Sequence, residues 1–200
     1  MPRNVEYFFT PVSPFTYLGH ERFVAIAEKH GVSIDVKPVD LGPVFAASGG
    51  VPLKQRAPQR QAYRLVELGR WSKHLGLPLN LQPRHFPVPP ALASKWILAA
   101  LSQQGAGGAL KLIGALLRAV WSEERNIAEA ETLAAIASEQ GFDAKSLAER
   151  AAAADIGERY DALTQEAIAR QVFGAPTYIY RDEPFWGQDR LDFLDRALAK

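Results

Sequence analysis

The chain has 200 residues, 48% of them apolar, which is enough to bury the core of one domain with a sizeable insertion. Its 23 basic and 22 acidic residues nearly cancel, so nothing in the charge suggests a nucleic-acid partner. The absence of cysteine excludes disulfide bonds and zinc–thiolate sites. The start is too polar for a secretory signal, and no apolar run approaches the ~20 residues that span a bilayer. We therefore expect a cytoplasmic protein with no membrane partner.

The first part of the chain predicts a β–α–β unit. Val5–Phe9 is short, β-branched and aromatic, which is typical of a buried strand. Ser13 is a favourable helix cap and Pro14 a favourable first helical residue, so a helix is predicted from there to about His30. Residues 32–39 alternate weakly and predict a second strand. The connection length makes it parallel to the first, through a right-handed crossover.

The middle of the chain predicts helices almost throughout. Residues 41–58 are rich in glycine and proline and predict a loop with one short helical turn. A helix is expected over 59–75, an irregular connection over 82–90, and an alanine-rich helical stretch over 91–172. The residues expected to break or cap helices in that stretch are Gly105 to Gly108, Asn126, Gly141 and Asp143.

The end of the chain returns to strands. Residues 177–180 and 184–186 are predicted to form a hairpin, followed by a last helix. The order βαβ, helices, ββα predicts an α/β fold with a thioredoxin-like domain and a large all-helical insertion, DsbA-like in arrangement. The thioredoxin-like domain would comprise residues 1–58 and 173–200, and the insertion residues 59–172.

Ser13 and Thr16 stand where a thioredoxin-type disulfide exchanger, with its Cys-Pro-x-Cys motif, has its two cysteines. A hydroxyl cannot perform thiol–disulfide exchange, because the thiolate is the reacting species. Any sulfur at this site must therefore come from outside the chain. Taken alone, Ser13 is explained as a helix cap, although the amides of a helix N-terminus also favour negative charge.

Two further segments suggest a binding site. Pro176 precedes a predicted strand and, taken alone, is explained as an ordinary trans proline at a strand start. Together with the Ser13 segment it suits a cis peptide bond, so Ala175 would present its backbone N–H and C=O to an extended ligand. Asp189 lies in the first turn of the last helix, where it either stabilises the helix dipole or pairs with the ammonium group of a ligand.

Together these segments resemble the DsbA-like, kappa-class glutathione transferase superfamily, and within it the 2-hydroxychromene-2-carboxylate isomerases. The matching segments span nearly the whole chain and are Phe8–Leu18, Leu68–Trp71, Arg84–Pro87, Glu158–Asp161, Val172–Thr177 and Trp186–Leu191.

The resemblance implies that glutathione is the cofactor. Ser13 matches the family's catalytic serine, which hydrogen-bonds the glutathione sulfur and favours its thiolate. Ala175 would bind the cysteinyl backbone, and Gln188 and Asp189 the γ-glutamyl end, although glutamine departs from the commoner asparagine or serine. The residues assigned to cofactor binding in this way are Ser13, Phe15, Lys54, Ala175, Gln188 and Asp189.

The resemblance also implies the reaction. A bicyclic hemiketal carboxylate from aromatic hydrocarbon degradation would be isomerised to a trans-benzylidenepyruvate, with glutathione regenerated. Arg84 and His85 are the predicted contacts of this small aromatic carboxylate, and Lys54 and Arg56 are further candidates; each is also explained as a solvated surface charge. The aromatic residues that either line the pocket or pack in the core are Tyr63, Trp71 and Phe86.

Two other functions remain open from the sequence. A kappa-like glutathione transferase would use the same thiolate to conjugate electrophiles, and a redox-inactive thioredoxin-like domain would only bind partners. The resemblance also implies a homodimer. The four scattered histidines show no metal-ligand spacing, so no metal site is expected.

Overall fold

Within residues 3–200, which the computed structural model describes, four strands form one mixed sheet. The strands, in the sheet order β2-β1-β3-β4, are β1 (Asn4–Phe9), β2 (Ser33–Pro38), β3 (Thr177–Tyr180) and β4 (Glu183–Trp186). β1 is parallel to β2 and antiparallel to β3, and β3 is antiparallel to β4. The predicted order of strands is therefore confirmed. Residues 1 and 2, part of the predicted domain and of the segment compared with a secretory signal, lie outside the described residues.

The remaining elements are helical. The helices are α1 (Pro14–Lys29), α2 (Leu41–Ser48), α3 (Pro58–Leu75), α4 (Ala91–Trp121), α5 (Ala130–Glu139), α6 (Ala144–Ala151), α7 (Ala154–Ala169) and α8 (Leu191–Leu198). Short 3-10 turns cover Leu53–Gln55 and Gln188–Arg190. Within residues 3–200, no helix combines the length and the apolar character needed to cross a bilayer.

The alternation of side chains along β1 divides the core into two layers. Val5, Tyr7 and Phe9 face one side, in a cluster with α1, α8 and much of α4. Phe8 faces the other side, in a cluster with residues of α2 and α7. Helices pack on both faces of the sheet and bury β1 and β3, while the edge strand β4 is largely exposed; the start of α1 lies at one end of β1.

The helical stretch packs directly on this sheet. α4 contacts both α1 and β2, and α7 contacts α2 and β2. One hydrophobic cluster runs without interruption from the strands into α4, α5 and α6. All the strands of the described chain lie outside residues 59–172, and α4 to α7 lie within them. The division into two domains stays a prediction.

Local structure differs from the prediction in three places. α2 is a full helix where a loop was expected: Asp40 caps it by accepting a hydrogen bond from the Gly42 N–H at 2.8 Å. Asn126 accepts from the Ala128 N–H at 3.1 Å within a turn and does not cap α5. β4 begins one residue early, because the hairpin turn is only two residues long. Those two turn residues both have positive φ and are Arg181 (50°) and Asp182 (64°).

Candidate active site

Ser13 is the N-cap of α1, as predicted. Its backbone is extended (φ −79°, ψ 125°), and its Oγ accepts a hydrogen bond from the Thr16 N–H at 3.2 Å. That bond uses a lone pair of the hydroxyl and leaves its proton free to be donated. The side chain lies at the positive end of a 16-residue helix, where negative charge is stabilised.

The tertiary structure brings Ala175 to Ser13 across 162 residues of chain. The Ser13 hydroxyl donates to the Ala175 carbonyl oxygen at 3.4 Å, a long hydrogen bond. The peptide bond between Ala175 and Pro176 is cis, which confirms the prediction. The Thr177 hydroxyl holds the turn before it by donating to the Gly174 carbonyl at 2.7 Å. Ser13 and the half-buried Ala175 therefore form one polar junction.

The segment around Asp189 is tied to the same junction. The Gly187 N–H donates to the Pro176 carbonyl at 2.8 Å. Gly187 has φ 96° and ψ 150°, and a Cβ there would come within 2.5 Å of Asp189 Oδ1. Glycine is therefore needed for both the backbone conformation and the position of the carboxylate. Asp189 pairs with Arg190 at 2.6 Å and is 42% exposed, so a ligand's ammonium group can compete for it.

Gln188 points inward from this segment. It is 1% exposed, and its Oε1 accepts from Arg22 Nη1 at 2.8 Å. Gly19 makes room for it, because a Cβ on that residue would lie 2.7 Å from the Gln188 Cβ. Gln188, which is predicted to contact glutathione, thus has its amide oxygen bonded to a residue of α1. Arg22 also lies over the Trp71 ring, 6.0 Å from its centroid, and so links this segment to α3.

The two other predicted cofactor contacts are Phe15 and Lys54. Phe15 is half-buried in the first turn of α1. Lys54 is exposed in the Leu53–Gln55 turn, and within residues 3–200 no hydrogen bond or ion pair joins its ammonium group to the Ser13, Ala175 or Asp189 segments.

The predicted substrate contacts lie in the irregular segment before α4. Arg84 donates its backbone N–H to Glu124 at 2.6 Å while its side chain is exposed, and His85 is half-buried. The Phe86 ring packs against the Trp121 ring, with centroids 4.7 Å apart.

Sequence reasoning did not single out Arg64. Its guanidinium carbon lies 5.4 Å from the centroid of the Phe86 ring and 5.7 Å from that of Trp121. Burial and the nearby Arg56 charge lower the Arg64 pKa to about 10, so it remains a cation at neutral pH. No local signal marks this residue, because its aromatic neighbours lie 22 and 57 positions further along the chain.

A cavity of about 140 Å³ lies beside α1, one turn beyond Ser13. Tyr17 closes part of it by donating its hydroxyl to the Pro78 carbonyl at 2.7 Å. His20 also lines it and is bonded on both ring nitrogens, to the Tyr7 hydroxyl at 3.2 Å and to the Leu110 carbonyl at 2.9 Å. Desolvation lowers the His20 pKa, so the neutral ring with Nε2–H fits both bonds.

The fold and the three converging segments define a thioredoxin-like protein of the DsbA type. The family model described as a DSBA-like thioredoxin domain matches residues 4–199. Human glutathione S-transferase kappa 1 is similar at 23% identity, over 100% of this chain and 92% of that protein.

Relatives of higher sequence identity show which family within the DsbA-like group the chain belongs to. A 2-hydroxychromene-2-carboxylate isomerase of Pseudomonas putida is 33% identical over 98% of this chain and 94% of its own length. A solved structure of a 2-hydroxychromene-2-carboxylate isomerase superposes with a TM-score of 0.82 at 32% identity, covering 98% of this chain and 94% of that one. The chain therefore belongs to the 2-hydroxychromene-2-carboxylate isomerase family within the DsbA-like group, and it is an isomerase.

Proposed function

We propose that this protein is a glutathione-dependent cis–trans isomerase. Its substrates would be hemiketals of the 2-hydroxychromene-2-carboxylate type and its products trans-o-hydroxybenzylidenepyruvates, within aromatic hydrocarbon degradation. The observation that carries the proposal is the junction of Ser13 with Ala175 at the N-terminus of α1, in a chain that has no cysteine. This is a site suited to a thiolate, and the chain itself supplies no thiol.

Ser13 acts on the cofactor sulfur and does not attack the substrate. Its hydroxyl oxygen accepts one hydrogen bond from the Thr16 N–H, and its proton makes only a long hydrogen bond, at 3.4 Å, to the Ala175 carbonyl. A thiolate nearby is a stronger acceptor than that carbonyl, because hydrogen bonds to charged groups are shorter and stronger. Together with the helix dipole, this donation lowers the pKa of a bound thiol.

The neighbouring segments fit the rest of a γ-glutamyl peptide. Ala175 presents backbone groups beside the cis proline, and the partly exposed Asp189 carboxylate suits the γ-glutamyl ammonium. Because the Gln188 amide oxygen is bonded to Arg22, this residue would contact the peptide mainly through its backbone. Phe15 and Lys54 complete the proposed set of contacts.

Bound glutathione would supply a sulfur that adds reversibly to the conjugated double bond of the opened substrate, so that the bond can rotate before the sulfur leaves. The residues of the chain orient the two reactants and hold the sulfur ionised. Arg84 and His85 are the proposed contacts at the rim of the substrate site, beside Phe86, whose half-buried ring packs on the buried Trp121 ring. The substrate therefore belongs to the class of aromatic 2-oxo acids.

A spectrophotometric assay on 2-hydroxychromene-2-carboxylate, with and without glutathione, tests the proposal. We expect conversion to the trans product that depends on glutathione while the concentration of free thiol stays constant. Conversion that is equally fast without glutathione contradicts the proposal.

Similarity to kappa-class transferases over the full length of the chain supports one other enzyme function. A transferase would consume one thiol for each product molecule and leave glutathione attached to the aromatic electrophile. A redox-inactive binding module would show neither isomerisation nor thiol consumption. The homodimer implied by the family stays a prediction, which sedimentation velocity tests.

A further inference from the structure

Arg64 is a half-buried cation without a counterion in the described chain. Its guanidinium lies against the faces of Phe86 and Trp121, at 5.4 and 5.7 Å from the ring centroids. Within residues 3–200, no hydrogen bond or ion pair joins it to a carboxylate, whereas Arg22, Arg70, Arg125, Arg150 and Arg170 each have one. Removing such a charge from water destabilises the folded protein unless an anion pairs with it.

Two neighbouring groups add to the need for an anion. Arg56 is close enough to destabilise the charge on Arg64, and its own guanidinium donates to the Val51 carbonyl at 2.7 Å. The buried Trp121 indole N–H has no hydrogen-bond partner among residues 3–200. This part of the molecule therefore combines excess positive charge, an unused donor and two aromatic rings.

The rings on which Arg64 lies connect it to the predicted substrate contacts and to α1. Phe86 directly follows Arg84 and His85 in the chain. The chain also links Trp121 to the first turn of α1, because its carbonyl accepts from the Asn80 N–H at 2.7 Å and Tyr17 donates to Pro78.

We propose that the Arg64 guanidinium, stacked on Phe86 and Trp121, anchors the substrate carboxylate and thereby selects aromatic carboxylates over their neutral analogues. This inference rests on the proposed isomerase function. A planar guanidinium is suited to the role, because it binds a carboxylate with two parallel hydrogen bonds while its face stays on the rings. Arg84 and His85 would then contact the substrate at the rim.

The test measures binding of trans-cinnamate and of its neutral analogue cinnamamide by isothermal titration calorimetry. We expect the protein to bind cinnamate about tenfold more tightly, a preference that Arg64→Met and Arg64→Gln abolish. Two neutral variants are used so that one folded variant is available, with near-ultraviolet circular dichroism as the check. Arg70→Met is the matched control, because Arg70 is an exposed guanidinium on the same helix, paired with Glu67. It should keep the full preference.

Four outcomes overturn the inference. In the first, the unchanged protein binds both probes equally; in the second, the Arg64 variants keep the preference for cinnamate. In the third, only Arg84→Met loses the preference. In the fourth, the Arg64 variants lose affinity for glutathione and keep their affinity for cinnamate. The last would assign Arg64 to a carboxylate of glutathione. Failure of the isomerase assay, with the preference for cinnamate still dependent on Arg64, would refute the proposed function and leave the anion anchor in place.

Discussion

The Ser13 hydroxyl lies 3.4 Å from the Ala175 carbonyl oxygen, although 162 positions separate the two residues. The contact joins the capping residue of α1 to the residue before a cis proline. A ligand bound here meets the Ser13 hydroxyl, the positive end of a helix and the backbone of Ala175 at the same point. The predictions below separate the role of this junction in function from its role in stability.

Replacing Ser13 by alanine should reduce isomerase activity far more than stability. Loss of a helix cap costs ~1 kcal/mol, whereas loss of a hydrogen bond to a thiolate should raise the pKa of bound glutathione by about one unit or more. Thiolate absorbance against pH, alongside thermal unfolding, measures both effects. Asp143→Ala is the matched control, since Asp143 caps α6 far from the site. If Ser13→Ala loses stability like the control and keeps its turnover, Ser13 is only a cap.

Asp189→Asn should weaken glutathione binding about tenfold, because the amide cannot form a charge-assisted bond with the γ-glutamyl ammonium. Calorimetric titration with glutathione measures the change. Asp192→Asn serves as the control, because the Asp192 carboxylate is 82% exposed and its nearest oxygen lies 3.9 Å from the Arg22 guanidinium, a weak ion pair. Equal affinities in the two variants would remove Asp189 from the site.

Gly187→Ala should lower both stability and glutathione affinity. Alanine is strained at φ 96°, at a cost of roughly 1–3 kcal/mol, and its Cβ would displace the Asp189 carboxylate from a position 2.5 Å away. Gly141→Ala is the comparison, since Gly141 also has positive φ (85°) but nothing lies within 4 Å of the added Cβ. Loss of stability in both variants, with loss of affinity only in Gly187→Ala, is the expected pattern; equal affinities contradict it.

His20 predicts a pH dependence of stability. Burial lowers its pKa below the ordinary 6.5, so the unfolded chain takes up a proton near that pH while the folded chain does not. The free energy of unfolding should therefore fall as the pH falls below about 6.5, until the lower pKa of the folded state is reached. Urea unfolding of His20→Gln at several pH values should show a flatter dependence. His74→Gln, at an exposed position, should retain the slope of the unchanged protein.

Features that depend on neighbouring residues could be predicted from the sequence. The cap and first residue of α1 and the strands of the hairpin follow from residue types a few positions apart. The cis bond before Pro176 was predicted only by combining that segment with the Ser13 segment at the other end of the chain. The prolines and glycines of residues 41–58 predict a loop with one short helical turn, whereas the structure forms the eight-residue helix α2 there. In the structure Pro43 lies in the first turn, where its missing N–H costs nothing, and Gly49 ends the helix at φ 74°.

The order of the elements and the position of Ser13 at a helix N-terminus could be predicted from the sequence, and the lack of cysteine means that any sulfur at this site would come from outside the chain. The hydrogen bond between the Gln188 oxygen and Arg22, and the position of Arg64 on the rings of Phe86 and Trp121, could not be predicted in this way. The residues that make these contacts lie far apart in the chain. Capping and strand patterns are local, whereas burial and the choice of partner for a charge depend on side chains that only the packed sheet and helices bring together.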